Sequence, residues 1–131
     1  MRGEASATFG GLIGTIAHFL VLYGVAPAIG YEPDPFLHMG GETGAVAVFS
    51  IYVFVLGLVY PLAFYYSLQF LPDYGTLAGS IVNALPVFVV FAALDCVQTD
   101  AVATCAGIAA LGALVYGVLL TGSYVQFHHE V

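Results

Sequence analysis

Basic side chains are almost missing from this 131-residue chain, which has one lysine or arginine, Arg2, against eight aspartates and glutamates. Nucleic-acid binding is disfavoured, because neutralising phosphates takes several Lys and Arg side chains. A polybasic contact with anionic lipid is disfavoured for the same reason. A net charge of −7 without lysine is typical of proteins in concentrated salt, which screens repulsion between acidic groups.

The motifs of catalysis and redox chemistry are missing as well. The two cysteines form neither CxxC nor CxxCH, which argues against thioredoxin-type redox chemistry and c-type haem attachment. The chain has no GxSxG, no phosphate-binding loop and no metal-ligand spacing such as HExxH. We therefore expect neither an enzyme nor a metal site.

Apolar residues make up the bulk of what is present. They are 61% of the chain, and the mean hydropathy is +1.01, whereas a soluble domain is about 45–50% apolar. Four apolar segments are each long enough to span a membrane, which takes about 20 residues. Backbone amides in hydrocarbon must bond within their own segment, so each is predicted to be a helix. The predicted fold is all-α, an integral membrane antiparallel four-helix bundle forming one domain over residues 1–131, with helices at about 7–29, 44–70, 76–94 and 102–124.

The connectors predict an orientation. Those at 30–44 and 95–105 fall on the side opposite both termini and carry a predicted acidic outer rim of Glu32, Asp34, Glu42, Asp95 and Asp100. Arg2 lies on the other side, so the positive-inside rule places both termini in the cytoplasm. Cys96 and Cys105 would then lie in the oxidising compartment, either as a disulfide or as two small buried thiols.

The stretch "GGLIGTIAHFLVLYG" (10–24) places a histidine, His18, inside the first predicted helix. Gly11, Gly14, Thr15 and His18 share one helical face. Gly10 and Gly14 form a GxxxG pair, which lets another helix approach closely. The fourth helix has its own predicted packing face, made of Ala106, Ala110, Ala113, Gly117 and Thr121.

Prolines and polar side chains interrupt the middle helices. Pro61 is expected to leave the Gly57 carbonyl without its donor and to kink the helix, and Pro86 is expected to kink the next one. Ser50 and Asn83 are further polar candidates within the spans, and the Asn83 amide needs partners in a dry environment.

His18 has three interpretations. It is a neutral imidazole bonded across a helix interface, to Asn83, Ser50 or Thr15. It is a haem ligand, with the second axial imidazole supplied by another chain. It carries protons or contacts a substrate, because ionisable groups inside membranes are functional candidates by default. No cofactor is expected from the sequence as a whole, and haem at His18 is the exception that the second interpretation leaves open.

The pattern of Gly11 and Thr15, "APAIG" at 26–30 and "YPLAFYYSLQFLPDYG" at 60–75 resembles a group of small four-helix prokaryotic membrane proteins with no assigned activity. The resemblance covers about residues 10–90 and implies a fold but no chemistry. The group's pattern carries a histidine in the second helix, where this chain offers Tyr52 and Tyr60.

Three functions follow as hypotheses. The leading one is a non-catalytic accessory or scaffold subunit of a larger membrane assembly, such as a respiratory one. The alternative is a small homo-oligomeric transporter or ion channel, with a path near His18 and Asn83 and the kinks at Pro61 and Pro86. The third is haem or quinone binding at His18. The expected partners are lipid, other membrane subunits or further copies of the chain.

Overall fold

A computed structural model describes residues 3–30, 47, 49–67, 76–96 and 102–128. All elements within these residues are helical, which confirms the all-α prediction for this part of the chain.

Four helices are numbered here in chain order. Helix α1 comprises Gly3–Leu20, a wide π turn at Val21–Val25 and a short end at Ala26–Ala28. Helix α2 is the apolar run Phe49–Tyr66, which contains a π turn at Val55–Val59 and continues as Tyr60–Ser67. Helix α3 is Thr76–Phe91 followed by a π turn at Ala92–Cys96, and helix α4 is Val102–His128. Helix α1 begins four residues earlier and α4 ends four residues later than predicted. The predicted bounds of the second helix, at 44 and 70, lie outside the described residues.

Three of these helices are long and apolar enough to cross a membrane: Glu4–Ala28, Phe49–Tyr66 and Val102–Val125. The apolar helix of α3, Leu77–Phe91, is shorter. At 1.5 Å per residue it reaches roughly 22 Å, and the π turn that follows extends it. All four helices turn large apolar side chains outward, including Ile16, Ile51, Leu77 and Val118.

Contacts between the helices show that neighbours run in opposite directions. On α1, Gly14 lies against Tyr116 of α4, while His18 lies against Gly112. Residue numbers therefore increase along α1 in the direction in which they decrease along α4. Tyr52 of α2 contacts Phe91 of α3, whereas Tyr60 contacts Asn83. The buried core lies between the four helices and includes Leu22, Leu56, Val87 and Leu120.

Of the three π turns in the described residues, two end two residues before a proline. The amide of Ala26 bonds the carbonyl of Val21, and the amide of Tyr60 bonds that of Val55, each five residues back. Pro27 and Pro61 follow as the next residues. Proline has no N–H and its ring presses on the carbonyl four residues earlier, so a widened turn relieves the clash. The deviation expected at Pro61 thus takes the form of a π turn. Pro86 lies inside the regular helix of α3, and a kink there stays a prediction.

Candidate functional site

His18 lies in the centre of the structure and bonds Tyr52. The imidazole is fully buried, and its Nδ1 is 2.6 Å from the Tyr52 hydroxyl on α2. The same hydroxyl is 3.4 Å from the Thr15 carbonyl. The expected partners of the imidazole, namely Asn83, Ser50 and Thr15, are therefore wrong. Which residue of α2 meets α1 depends on how the two helices are rotated, and the sequence pattern of either helix leaves this open.

The second imidazole nitrogen, Nε2, is buried and has no hydrogen-bond partner within the described residues. It faces α4 at Gly112, where a Cβ atom would lie 3.1 Å from Nε2 and 2.9 Å from Cδ2. Phe91 of α3 packs on the ring with 4.6 Å between centroids. With Nδ1 against Tyr52, an iron could reach the ring only through Nε2, and Gly112 of α4 packs against that nitrogen.

A second polar cluster joins α2, α3 and α4 around Asn83. The Tyr60 hydroxyl donates to Asn83 Oδ1 at 3.0 Å, and Asn83 Nδ2 donates to the Thr121 hydroxyl at 2.7 Å. Asn83 and Thr121 are both buried. The Asn83 amide thus finds its hydrogen-bond partners within the chain, on the two neighbouring helices.

A third polar contact supplies a hydrogen-bond donor to a backbone carbonyl near Pro61. In the π turn the Tyr60 amide bonds Val55, so the Leu56 carbonyl loses its usual donor, and the residue five positions on is Pro61, which has no N–H. The buried Tyr116 hydroxyl of α4 donates to this carbonyl at 2.5 Å. The sequence predicts a free carbonyl at Gly57, whereas the carbonyl that Tyr116 contacts belongs to Leu56, one residue earlier. From the sequence, Pro61 predicts a backbone carbonyl without its usual donor, but it does not predict that Tyr116 supplies the new one.

Close backbone approaches hold α1 against its neighbours. A Cβ at Gly10 would lie 2.9 Å from the Leu120 carbonyl, and one at Gly14 would lie 2.8 Å from the Tyr116 ring. A Cβ at Gly11 would overlap the Pro61 ring, and one at Gly57 would lie 2.9 Å from Leu12. Each of these glycines leaves room for a neighbouring helix. The sequence pattern predicts such contacts for Gly10, Gly11 and Gly14, but for Gly57 it predicts a kink.

The packing face predicted on α4 is buried in part. Ala113 and Gly117 are buried, and a Cβ at Gly117 would overlap the Ser80 carbonyl of α3. Ala106 and Ala110 are only half-buried. Gly112, which contacts His18, lies outside the predicted stripe.

The other candidate residues lie apart from His18 Nε2. The Thr15 hydroxyl donates to the Gly11 carbonyl at 2.7 Å within α1, and Ser50 is exposed on α2. Cys96 and Cys105 form a disulfide between the end of α3 and the first turn of α4. The proposed rim residues Glu32, Asp34, Glu42 and Asp100, together with the side chain of Asp95, lie outside the described residues. Within the part that the structure describes, no group of three or more His, Cys, Asp or Glu side chains is placed to hold a metal.

One groove lies between α3 and α4, with a volume of about 220 Å³. Neither His18 nor Asn83 lines it. Its walls are Ile81, Ala84, Leu85, Phe88, Ala110, Ala113 and Leu114.

In comparisons with known proteins, no family model, no curated protein and no solved structure matched this chain. The resemblance to small four-helix membrane proteins therefore stays a prediction.

Proposed function

We propose that this chain is an integral membrane antiparallel four-helix bundle that serves as a non-catalytic accessory or scaffold subunit of a larger membrane assembly, such as a respiratory one. Three helices of spanning length and outward apolar side chains on all four helices support residence in a membrane. Further subunits and lipid are the partners that such a surface fits.

The observation that carries this proposal is how the polar side chains inside the helices are used. His18 bonds Tyr52, and Asn83 bonds both Tyr60 and Thr121. Each of these bonds joins two helices, and none of these side chains lines the groove described above. Interhelical hydrogen bonds and small-residue contacts are what associate helices in lipid. These side chains therefore support a role in packing the helices together more than a role in lining a path for ions or substrates.

The disulfide supports an orientation in the cell membrane. It lies at the α3–α4 connection, and disulfides persist in oxidising compartments. With that connection outside, both termini are cytoplasmic, which agrees with the single arginine near the N-terminus.

A second candidate, a homo-oligomeric transporter or channel, is favoured by one observation. His18 Nε2 is a buried polar atom without a partner among the described residues, and such atoms in native proteins call for an explanation. In this alternative Nε2 would contact an ion or substrate after α4 moves away. Haem or quinone binding at His18 would require the same movement of α4, because Gly112 lies against Nε2, and haem would also need a second axial ligand from another chain.

Reconstitution of the purified chain separates the two candidates. The protein is placed in liposomes loaded with dyes for pH and for monovalent cations, next to empty liposomes. We expect the flux to equal that of empty liposomes, because His18 and Asn83 each bond a side chain of a neighbouring helix.

Flux well above the empty control that falls on His18→Gln would reject the scaffold proposal and establish the transporter. The matched control is Leu12→Ala, which shortens an exposed apolar side chain on the same helix. Both variants are checked for folding by circular dichroism before the flux is compared.

A further inference from the structure

The π turn at Ala92–Cys96 in α3 lacks the feature that the other two π turns share. Those in α1 and α2 end two residues before Pro27 and Pro61, whose rings a widened turn accommodates. No proline follows Cys96 in the sequence. This residue is instead bonded to Cys105 in the first turn of α4. A π turn inside a helix is rare and calls for a local cause, and the disulfide is the cause that this turn offers.

The helical register decides whether Cys96 can reach α4. Phe91, the residue before the turn, is 7% exposed and packs on His18 with 4.6 Å between ring centroids. In an α-helix a residue five positions further on lies about 140° around the axis, so a regular helix would turn Cys96 away from this inward face. The bonds of a π turn run to the carbonyl five residues back, which brings residues five apart onto the same side. Cys96 is accordingly only 8% exposed.

The body of α3 is fixed against α4, so a change of register has to be taken up after Phe91. A Cβ at Gly117 would overlap the Ser80 carbonyl, and Asn83 Nδ2 donates to the Thr121 hydroxyl at 2.7 Å. The segment beyond Phe91 begins Ala-Ala-Leu, and both residue types are strong α-helix formers. Without a constraint, this segment therefore favours a regular α-helix over a π turn.

We propose that the Cys96–Cys105 disulfide and the π turn together form a redox-sensitive latch. The closed bond holds residues 92–96 as a π turn. Once the bond is opened, this segment becomes α-helical and Cys96 turns away from α4. A dithiol opens it: the S–S bond breaks, each Sγ gains one electron and one proton, and the dithiol is oxidised to a disulfide.

The latch acts at one end of the bundle. Because Phe91 lies before the turn, the contacts that α3 makes from Ser80 to Phe91 stay as they are when the bond opens. The part that moves is the connection from α3 to α4, which lies outside the cell in the proposed orientation. The outer face of the bundle thus has two shapes, set by the thiol–disulfide balance of that compartment. The side of the membrane rests on the proposed orientation, whereas the latch itself does not.

Nuclear magnetic resonance of the purified full-length protein, labelled with ¹³C and ¹⁵N, tests the latch on the unaltered sequence. Spectra are compared before and after reduction by dithiothreitol, and mass spectrometry after alkylation verifies that both thiols are free. We expect the carbonyl and amide shifts of residues 92–96 to move to α-helical values, while those of Val55–Val59, whose π turn precedes Pro61, stay unchanged. Unchanged shifts at 92–96 in the reduced protein, or equal changes in both turns, would overturn the proposal.

Moving the cysteine by one residue separates the bond from the turn. In the double variant Asp95→Cys with Cys96→Asp, the cysteine lies four residues after Phe91, where an α-helix places it on the inward face. We expect this variant to form its disulfide with Cys105 and to show α-helical shifts at 92–95 in the oxidised protein. A folded variant that keeps the π-turn shifts, or that leaves both thiols free after air oxidation, would contradict the latch.

Two single variants complete the comparison. Cys105→Ala removes the bond without altering α3, and it should give the α-helical shifts of the reduced protein. Thr104→Ala changes an exposed neighbour on α4, keeps both cysteines and should keep the π-turn shifts. A π turn that persists in Cys105→Ala would show that the disulfide does not hold it.

Discussion

At the scale of single residues, three tyrosines form hydrogen bonds between helices in the interior of the described structure. Tyr52 bonds an imidazole, Tyr60 bonds an amide, and Tyr116 bonds a backbone carbonyl. Tyrosine suits these positions because its ring packs like an apolar side chain while its hydroxyl satisfies one polar group. Each tyrosine bonds a group that would otherwise be unpaired in a dry interior.

Removing the Tyr116 hydroxyl tests this role. Tyr116→Phe leaves the Leu56 carbonyl without a donor, since neither Tyr60 nor Pro61 supplies one. We expect a loss of about 1–3 kcal/mol in the free energy of unfolding. Denaturant unfolding in mild detergent, followed by circular dichroism, measures it.

The control for this variant is Tyr66→Phe, whose side chain is half exposed, and it should change stability by less than about 0.5 kcal/mol. Equal losses in the two variants would show that the carbonyl does not depend on Tyr116.

The Asn83–Thr121 bond is measurable as a coupling. In a double-mutant cycle of Asn83→Ala and Thr121→Val, we expect an interaction free energy of about 0.6 kcal/mol and at most about 1.7 kcal/mol, the range of interhelical bonds in membranes. The two side chains are 2.7 Å apart. A coupling free energy of zero in unfolding experiments would show that this hydrogen bond does not stabilise the fold.

At the scale of helices, glycines decide how closely α1 and α4 approach each other. Gly112 is the sharpest case, because the His18 ring occupies the space that a Cβ would need. Gly107 lies on the same helix, and a Cβ there would meet nothing within 4 Å. The two positions therefore form a matched pair.

Gly112→Ala should cost about 1–3 kcal/mol by overpacking, while Gly107→Ala should gain up to about 1 kcal/mol from helix propensity. Combining Gly112→Ala with His18→Ala should cost less than the sum of the single losses, because the second change removes the clash. Unfolding free energies in detergent give all four values. Strict additivity would mean that the two residues do not touch.

The helices could be predicted from sequence, but the pairing of residues across them could not. Long apolar runs with internal glycines indicate helices, and helices lie within each of the four runs over the described residues. The GxxxG glycines of α1 also act as expected. Tyr52 as the partner of His18 depends on the rotation of two helices, which packing decides. The π turn at Ala92–Cys96 carries no proline of its own, so no sequence signal marks it.

At the scale of the whole molecule, the proposed orientation has both termini on one side of the membrane and the disulfide on the other. Orientation is testable on intact cells with a membrane-impermeant maleimide. The native cysteines should react only after an impermeant reductant opens the Cys96–Cys105 bond from outside. A cysteine introduced by Ala5→Cys in the first turns of α1 should stay unlabelled until the cells are broken. Labelling of Ala5→Cys on intact cells would reverse the orientation.

The central claim is that this chain works as a subunit within a larger membrane assembly. Native mass spectrometry of the tagged chain, extracted gently from its own membrane at high salt, tests the claim most directly. The account predicts a particle that contains other membrane proteins in fixed stoichiometry with the 13.7 kDa chain. A particle made only of this chain, as a monomer or a homo-oligomer, would contradict the claim and favour transport.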